Sequence, residues 1–362
     1  MPKFRVGTFN VENLFGRPKV FNLADHTVGD AALVTITELE KLLEETTYTA
    51  SIKDNILKKY NAVKAYVSVS EERKKLFRRY RGRITGVTAS GKDDWDGSLM
   101  YKPAKIKELP RKNTAKVIKD IKADILCMVE VENRKVLTGF NGGFLNYRYK
   151  YNMLIDGNDK RGIDVGLYSK FPPYGIWSHI YDGTSKSKTF SRDCLEVEVI
   201  LPDGTPLYIL CNHFKSRGYG AQATSDSRRR RQAERVRDIL SNEYKLRNEL
   251  VIVAGDLNDS PTRSPHTLKP LLSTRYLYDV LELEFQDQWD KRWTYHYNTH
   301  EQIDYLLVSK PLKDAFVKAG VERRGMYNLS NLSGGQEKSY PEVTGWRNAA
   351  SDHGAVWADF DL

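Results

Sequence analysis

The sequence has 362 residues, of which 40% are hydrophobic and 29% are charged. This composition is ordinary for a folded globular enzyme, and it excludes a chain that is disordered throughout. Lys and Arg outnumber Asp and Glu by 57 to 47, which gives a formal net charge of +10. A basic balance favours polyanionic partners such as nucleic acid or an acidic membrane surface, although many basic proteins bind neither.

The three cysteines, Cys127, Cys194 and Cys211, form no CxxC pair and argue against a disulfide framework. Cys127 and Cys211 lie in apolar runs, which predicts buried free thiols in a reducing compartment. The N-terminal residues MPKFRVGTFN lack the apolar segment of a signal peptide, and no apolar run reaches transmembrane length. We therefore expect a cytoplasmic protein.

Short runs typical of β-strands recur along the chain, rich in Val and Ile and bounded by Gly, Pro, Asp or Asn. The predicted strands cover residues 5–10, 125–131, 162–168, 194–201, 207–212, 250–254, 302–308 and 355–360. Helical patterns cover residues 114–122 and 227–243. Mixed strands and helices predict an α/β protein with layered sheets.

Residues 18–97 interrupt the strand pattern, and we interpret them as a helical, basic insertion after the first strand. Apolar residues at helical spacing predict helices over residues 36–45 and 52–77. Near its end, Phe77 and Tyr80 are interleaved with a basic run: Arg73, Lys74, Lys75, Arg78, Arg79, Arg81 and Arg83. Either this run is a solvated helix face, or its cations contact phosphates while its aromatic rings stack on bases.

Polar residues that could bind a metal or take part in catalysis occur where predicted strands begin or end. Asn10 and Glu12 follow the first strand, and Glu130 ends the apolar run ILCMVEVEN. A buried carboxylate needs a partner, and a divalent cation with oxygen ligands is one. A salt bridge or a helix cap is the alternative for any single carboxylate.

Two neighbouring patterns place a histidine and an aspartate at strand ends. His213, followed by Lys215, ends one strand, and Asp256 and Asn258 follow the run LVIVA. Because side chains alternate along a strand, Asp256 and Asn258 point to the same side and bring a base and an amide donor together. A lone histidine such as His213 is more often structural than catalytic.

The last two patterns lie near the C-terminus. Asp304 opens an apolar strand, and Ser351-Asp352-His353 stand directly before the final strand. A histidine oriented by a separate carboxylate has a fixed tautomer and a raised basicity.

Together these segments resemble the endonuclease/exonuclease/phosphatase superfamily, which includes pancreatic-type deoxyribonucleases, abasic-site endonucleases, neutral sphingomyelinases and inositol-polyphosphate phosphatases. The matching segments are TFNVENLF, ADILCMVEVEN, RGIDVGLYS, CNHFKS, GDLND, IDYLLVS and SDHGAV. They frame the chain and are nearest to a bacterial nuclease-like branch. The resemblance implies one catalytic domain over residues 1–362, folded as a four-layered α/β sandwich with two central mixed sheets flanked by helices.

The resemblance also implies a metal end of the site. Glu130 resembles the metal-binding glutamate, Asn10 the asparagine that supports the metal, and Asp352 a second carboxylate on that side. Glu12, the fourth predicted metal residue, stands where many members have Asp. The implied cation is Mg²⁺, with Mn²⁺ as the alternative.

The catalytic residues implied by the resemblance lie on the later segments. Asp256 and Asn258 resemble the pair that positions the attacking water and the phosphate. His213 resembles the histidine that contacts a phosphate oxygen, and Asp304 and His353 resemble the carboxylate–imidazole pair.

We therefore expect a Mg²⁺-dependent nuclease with nucleic acid as its substrate, DNA in preference to RNA. The predicted substrate contacts are Arg78, Arg79, Arg81, Lys215 and Arg228. Arg228 opens a run of four arginines, for which a solvated helix start is the alternative. A phosphoesterase of the inositol-phosphate phosphatase or sphingomyelinase type could use the same site. An inactive binding module is a third hypothesis, against which the presence of all the principal residues argues.

Overall fold

A computed structural model describes residues 2–21, 23, 26–71, 74–159, 161–184, 187–217 and 221–362 of the chain. These residues divide into two compact units. The first, called the core unit below, comprises Met1–Phe15, Ile106–Arg217 and Gln222–Leu362, and the second, called the inserted unit, consists mainly of Gly16–Lys105. Residues 18–97, predicted as a helical insertion, fall within the inserted unit.

The strands, in chain order, are β1 (Lys3–Asn10), β2 (Gly16–Pro18), β3 (Val67–Glu71), β4 (Phe77–Tyr80), β5 (Arg83–Val87), β6 (Gly97–Tyr101), β7 (Pro103–Lys105), β8 (Ile125–Val131), β9 (Tyr151–Leu154), β10 (Asp164–Ser169), β11 (Pro173–Ser178), β12 (Cys194–Ile200), β13 (Pro206–His213), β14 (Leu250–Asp256), β15 (Leu277–Asp279), β16 (Tyr295–His296), β17 (His300–Glu301), β18 (Asp304–Ser309), β19 (Phe316–Glu322) and β20 (Ala355–Asp361). The helices are α1 (His26–Leu43), α2 (Ala50–Val63), α3 (Glu108–Ile121), α4 (Arg134–Leu145), α5 (Gln222–Glu243), α6 (Lys269–Leu272), α7 (Val280–Phe285), α8 (Trp289–Arg292), α9 (Lys310–Asp314) and α10 (Leu329–Leu332). Short 3-10 helices cover Lys19–Phe21, Lys92–Asp94 and Trp346–Asn348.

Among the described residues, the core unit contains two mixed sheets of six strands each. The order in the first sheet is β19-β20-β1-β8-β10-β9, and in the second β11-β12-β13-β14-β18-β15. The central strand β8 runs parallel to β1 and antiparallel to β10. In the second sheet, β14 runs parallel to β13 and antiparallel to β18.

The alternation of side chains explains how the layers form. On β8, Ile125, Cys127 and Val129 belong to the apolar core that also holds residues of the second sheet. Leu126 and Met128 face the other way and pack in the cluster that includes residues of α3 and α4. A strand that is apolar on both faces is buried on both, as expected for a sheet covered by helices on one side and by a second sheet on the other.

The second sheet repeats this pattern on β14. Ile252 and Ala254 join the core between the sheets, whereas Val251 and Val253 pack with Val236 and other residues of α5. The order of layers is therefore helix, sheet, sheet, helix, and the predicted four-layered α/β sandwich is confirmed. Each strand predicted from the sequence corresponds to one of its strands, while β9, β11, β15 and β19 were missed.

In the inserted unit, the helix prediction is wrong in its second half. The helix predicted over residues 52–77 ends at Val63, and a strand, β3, begins at Val67. From there β3 pairs with β6 and β4 with β5, both antiparallel, and β7 pairs with β2 from the start of the unit. The apolar residues after Val63 fit helical spacing, but Val67 and Val69 also alternate with serines, which is the pattern of a half-buried strand.

The three cysteines are free and buried, as predicted for Cys127 and Cys211. Within the ranges that the structure describes, no helix has both the length and the apolar character needed to cross a bilayer.

Candidate active site

Three neighbouring strands of the second sheet bring three polar side chains into a row. In the strand register, His213 on β13 pairs with Asp256 on β14, which in turn pairs with Asp304 on β18. Each stands an even number of residues from side chains that fill the core between the sheets, so all three face the first sheet. Their exposed fractions are 2%, 2% and 0%.

Gly255 makes the close approach of β13 and β14 possible. Its φ is +133°, and a Cβ added to it would lie 1.9 Å from the carbonyl oxygen of Asn212. Only glycine fits this position without moving the backbone. The glycine of the GDLND segment therefore supports the placement of His213 beside Asp256.

Asp256 is the centre of the hydrogen-bond network. Its Oδ2 accepts from Asn10 Nδ2 at 3.2 Å and from Asn258 Nδ2 at 3.0 Å, and its Oδ1 accepts from the Asn258 backbone N–H at 2.9 Å. Asn10 comes from the end of β1 in the other sheet, so the two sheets meet at this carboxylate. His213 Nε2 lies 3.6 Å from the same Oδ2.

His353 and Asp304 form the predicted carboxylate–imidazole pair. His353 Nδ1 and Asp304 Oδ2 are 2.8 Å apart, and both side chains are buried. The loop that carries His353 is held by Ser351, whose hydroxyl donates to the Asn10 carbonyl at 2.7 Å and accepts from the His353 N–H at 3.0 Å. The hydrogen bond between His353 and Asp304 fixes the tautomer and the ring orientation of the imidazole.

Burial and neighbouring charges separate the pKa values of these groups. Burial raises the pKa of Asp256 to about 7, and the nearby Asp304 adds to the rise. Burial lowers the pKa of His213 well below its usual value, and the cations of Arg192 and Arg161 act in the same direction.

His353 behaves in the opposite way. Burial alone would lower its pKa, but the charge and hydrogen bond of Asp304 outweigh burial, and the pKa lies well above its usual value. These surroundings therefore favour the neutral form of His213 and the cationic form of His353.

Glu130 reaches the site through a β-bulge. The pairing of β8 with β10 shifts between Val129 and Val131, so Glu130 is an extra residue in the ladder, with φ at +63°. Simple alternation would point Glu130 outward with Met128, but its Oε1 lies 3.8 Å from His213 Nε2. A left-handed residue that is not glycine stores strain, and bulges of this kind commonly redirect a side chain at a functional site.

The predicted metal residues lie at this end of the site. Asn10 Oδ1 accepts from the Glu12 N–H at 3.1 Å, and Glu130 is partly exposed. Burial raises the pKa of Tyr295, and the charges of Asp352, Asp256 and Glu12 add to the rise, whereas that of Arg217 opposes it. Carboxylate and amide oxygens are of the kind that binds a hard divalent cation.

Among the described residues, the one group of three His, Cys, Asp or Glu donors within 4.8 Å of one another is a different one, formed by Asp256, Asp304 and His353. Two of these residues already bond each other through Nδ1 and Oδ2 at 2.8 Å. We interpret this set as the hydrogen-bonded pair of His353 and Asp304 beside Asp256, because Nδ1 of His353 already bonds Asp304.

The predicted substrate contacts fall in different places. Lys215 and Arg228 are half-buried in the core unit. Arg229, within the same run of arginines, is 0% exposed and donates to the Lys215 carbonyl at 2.8 Å and to Asp226. Arg229 is therefore held inside the core unit, and the contact of Arg228 with the substrate stays a prediction.

The basic run of the inserted unit forms the hairpin of β4 and β5 instead of a helix. Arg78, Arg79 and Arg81 are exposed, and Tyr80 is 64% exposed. Phe77 is buried against Tyr60, with ring centroids 4.7 Å apart, so its predicted stacking on bases is wrong. Arg73 lies outside the described residues.

Sequence reasoning missed Arg192 and Tyr295. Arg192 is 2% exposed, and its guanidinium donates to the carbonyl of Phe214, the residue after His213. The ring of Tyr295 lies 4.9 Å from that of His353. The charged residues Arg192 and Asp193, directly before the apolar strand β12, could have indicated Arg192, because charges at the end of a buried strand need partners.

Comparisons with known proteins agree with this architecture. A model of the endonuclease/exonuclease/phosphatase family matches residues 84–319. The structure is similar to an AP endonuclease from Archaeoglobus fulgidus, with a TM-score of 0.50 and 20% identity over 70% of this chain and 95% of the other.

Two further solved structures are similar. TDP2 from Caenorhabditis elegans has a TM-score of 0.47 and 18% identity, over 70% of this chain and 92% of the other. An endonuclease/exonuclease/phosphatase from Beutenbergia cavernae has a TM-score of 0.48 and 18% identity, over 70% and 66%. A comparison with curated protein sequences finds no match.

Proposed function

Because the chain belongs to the endonuclease/exonuclease/phosphatase family, we propose that it is a nuclease that hydrolyses phosphodiester bonds of nucleic acid, preferentially DNA, with Mg²⁺ as its cation. The observation that carries the proposal is the row of His213, Asp256 and Asp304, joined by His353 and by the redirected Glu130. In this proposal residues 1–362 are one catalytic domain, and residues 18–97 are an insertion within it.

Hydrolysis of a phosphodiester needs an in-line nucleophile and stabilisation of the charge that develops on phosphorus and on the leaving oxygen. Asp256 is placed to orient water and to accept its proton, because Asn10 and Asn258 hold its carboxylate in one orientation. The amide of Asn258 donates to this carboxylate and to the Phe214 carbonyl, so in this proposal it positions the base.

His353 and His213 flank this carboxylate from two strands. The cationic His353, held by Asp304, donates a proton or a charged hydrogen bond to a phosphoryl oxygen. The neutral His213 donates a hydrogen bond to another oxygen without adding charge. Preorganised donors of this kind act most strongly in a buried site.

Glu130, with Asn10, Glu12 and Asp352 nearby, would hold the divalent cation, which supplies charge neutralisation at the phosphate. The fit rests on their oxygen donors and on the strained conformation that turns Glu130 toward the site.

Nucleic acid is favoured as the substrate by charge. The net charge of +10 and the exposed hairpin with Arg78, Arg79, Tyr80 and Arg81 suit a polyanionic backbone with stacked bases. An inositol-phosphate or lipid substrate requires no base-stacking aromatic ring on such a hairpin, and this difference supports nucleic acid.

The direct test incubates the protein with plasmid, single-stranded DNA, RNA and a phosphoinositide panel, each with Mg²⁺, Mn²⁺ or excess chelator. Cleavage of DNA in Mg²⁺, lost with chelator and in an Asp256→Asn preparation purified in parallel, is the expected result. Turnover confined to phosphoinositides would contradict the nuclease assignment. Undiminished turnover in chelator would contradict the metal assignment.

A further inference from the structure

A cluster of cationic side chains lies beside the row of His213, Asp256 and Asp304. The mechanism proposed above assigns no role to these cations. Asp159 binds Arg161 through two contacts, at 2.8 and 2.5 Å, and lies 3.2 Å from Arg192 Nε. The side chains of Arg192, Asp159 and Arg161 are 2%, 9% and 16% exposed. One aspartate therefore holds two largely buried arginines.

Lys215 and Arg228 adjoin this cluster, because Arg192 donates to the carbonyl of Phe214, directly before Lys215, and Arg229, directly after Arg228, donates to the Lys215 carbonyl. Burial lowers the pKa of Lys215 to about 7, and the charges of Arg192, Arg161 and Arg228 lower it further, whereas that of Asp159 raises it. Like charges gathered in a partly buried place repel one another, and an anion that enters the cluster relieves this repulsion.

Polar atoms with unused hydrogen-bonding capacity surround the same place. Ser216 Oγ, Gln232 Nε2 and Arg228 Nε are buried, and in the part of the chain that the structure describes they have no hydrogen-bond partner. Gln232 is 0% exposed and already accepts from the Lys215 N–H at 2.8 Å through its Oε1. Buried donors without partners are costly, so these atoms point to a ligand with several acceptor oxygens.

The cluster adjoins the catalytic carboxylate. The Phe214 carbonyl accepts from Arg192 at 3.3 Å and from Asn258 Nδ2 at 3.3 Å, and Asn258 donates in turn to Asp256. A ligand bound by the cluster therefore lies next to the phosphate that Asp256 and Asn258 serve.

We propose that Arg161, Arg192, Lys215 and Arg228 form a subsite for a second phosphate group of the substrate, beside the phosphate that is hydrolysed. Guanidinium groups match phosphate oxygens in geometry, and a terminal phosphate, which carries up to two charges, fits an excess of cations better than an internal diester does. This inference rests on the proposed function. It adds that the nuclease binds a second phosphate group near the bond that it hydrolyses.

The test compares three ligands with the same diester: TpT, its 5′-phosphorylated form pTpT and its 3′-phosphorylated form TpTp. Their affinities are measured by titration calorimetry in excess chelator, where no turnover is expected, and their kcat/KM values are measured with Mg²⁺. We expect pTpT or TpTp to bind at least ~10-fold more tightly than TpT, the scale of one charged hydrogen bond. The favoured end then gives the side of the scissile bond on which the subsite lies.

Lys215→Met and Arg228→Gln should each remove most of this preference, and Lys215→Arg should retain it. Arg237→Gln is the matched control, because Arg237 lies on the same helix and pairs with its neighbour Asp238. It should keep the preference of the wild-type protein.

Equal affinity of the wild-type protein for the three ligands would overturn the subsite, as would the same loss in Arg237→Gln as in Lys215→Met. The calorimetric measurement separates this failure from that of the proposed function. A preference for the phosphorylated ligand without cleavage of any nucleic acid would leave the subsite standing and remove the nuclease. Cleavage of nucleic acid without a preference for the phosphorylated ligand would remove the subsite and leave the nuclease standing.

Discussion

The core unit and the inserted unit carry their charged residues in opposite ways. In the core unit, Asp256 and Asp304 are at most 2% exposed and are held by neighbouring side chains. In the inserted unit, Arg78 and Arg79 stand exposed on a hairpin above a separate apolar core. Buried polar groups in fixed positions can act on a transition state, whereas exposed cations act on affinity through long-range attraction. We therefore expect changes in the core unit to alter turnover and changes in the hairpin to alter binding.

The largest effect is expected for Asp256→Asn, which keeps the size of the side chain and removes its ability to accept a proton. Turnover at saturating substrate should fall by at least ~10²-fold, the scale of a positioned acid–base group. Steady-state kinetics on a DNA substrate measures this loss. A variant with half the wild-type rate would show that Asp256 is only a structural acceptor for Asn10 and Asn258.

The pairing of His353 with Asp304 predicts non-additive losses. His353→Ala should lower turnover by about 10²-fold, and Asp304→Asn should lower it through the same imidazole. The double variant should be little worse than His353→Ala alone, because Asp304 has no role left once its partner is gone. Kinetics of the two single variants and the double variant form the measurement. A double variant that loses the product of the two single losses would show that the residues work separately.

Glu130→Gln tests the metal end of the core unit. The bulge should persist, because it depends on backbone pairing, but the amide has lost the charge that binds a cation. Turnover at a fixed low Mg²⁺ concentration should fall at least ~10-fold and recover in part at high Mg²⁺, as for a weakened metal site. An Mg²⁺ titration of activity makes the measurement. A titration midpoint equal to that of the wild-type protein would place the cation elsewhere.

These core positions also show how much the sequence could predict. Strand ends with Asn10, His213, Asp256 and Asp304 were predictable, because apolar alternation places each strand and its final polar residue. The contribution of Glu130 was predicted by resemblance, but alternation alone would have pointed it outward. The bulge that redirects it depends on the pairing of β8 with β10, which a single strand does not reveal.

The inserted unit was harder to predict for a related reason. A short run such as residues 67–71 satisfies both helical and strand spacing, and its partner strand β6 lies thirty residues further along the chain. The cationic cluster around Lys215 was likewise hidden, because Asp159, Arg192 and Arg228 come from three separate segments. Such contacts depend on packing rather than on local pattern.

The contrast between buried and exposed charges can be tested within the single run of arginines on α5. Arg229 is 0% exposed and binds Asp226 and the Lys215 carbonyl, whereas Arg230 is exposed and pairs with Glu234. Arg229→Gln should lower the free energy of unfolding by about 2 kcal/mol, because it leaves a partly buried Asp226 without its cation. Arg230→Gln should change it by no more than ~0.5 kcal/mol. Urea unfolding of both variants measures the difference, and equal stabilities would mean that burial does not distinguish the two arginines.

The smallest expected effect on turnover belongs to the hairpin of the inserted unit. Each phosphate contact should steepen the fall of binding with salt, by about 0.7 to 0.9 in the logarithmic slope. Replacing Arg78, Arg79 and Arg81 with Ala should flatten that slope and raise KM for DNA. Turnover at saturation should change little, because contacts to the substrate backbone that take no part in the reaction bind the ground and transition states alike. Fluorescence anisotropy with a labelled oligonucleotide at several salt concentrations gives the slope.

The control for this triple variant removes the same charge from another surface of the same unit. Lys41, Lys58 and Lys64 are exposed on or next to α1 and α2, so replacing them with Ala lowers the net charge equally without touching the hairpin. If the hairpin contacts the backbone directly, its variant should flatten the slope much more than the control does. Equal flattening in both variants would mean that affinity follows net charge alone. An unchanged slope in the hairpin variant would remove the hairpin from the binding surface and leave recognition to the core unit, where Lys215 and Arg228 lie.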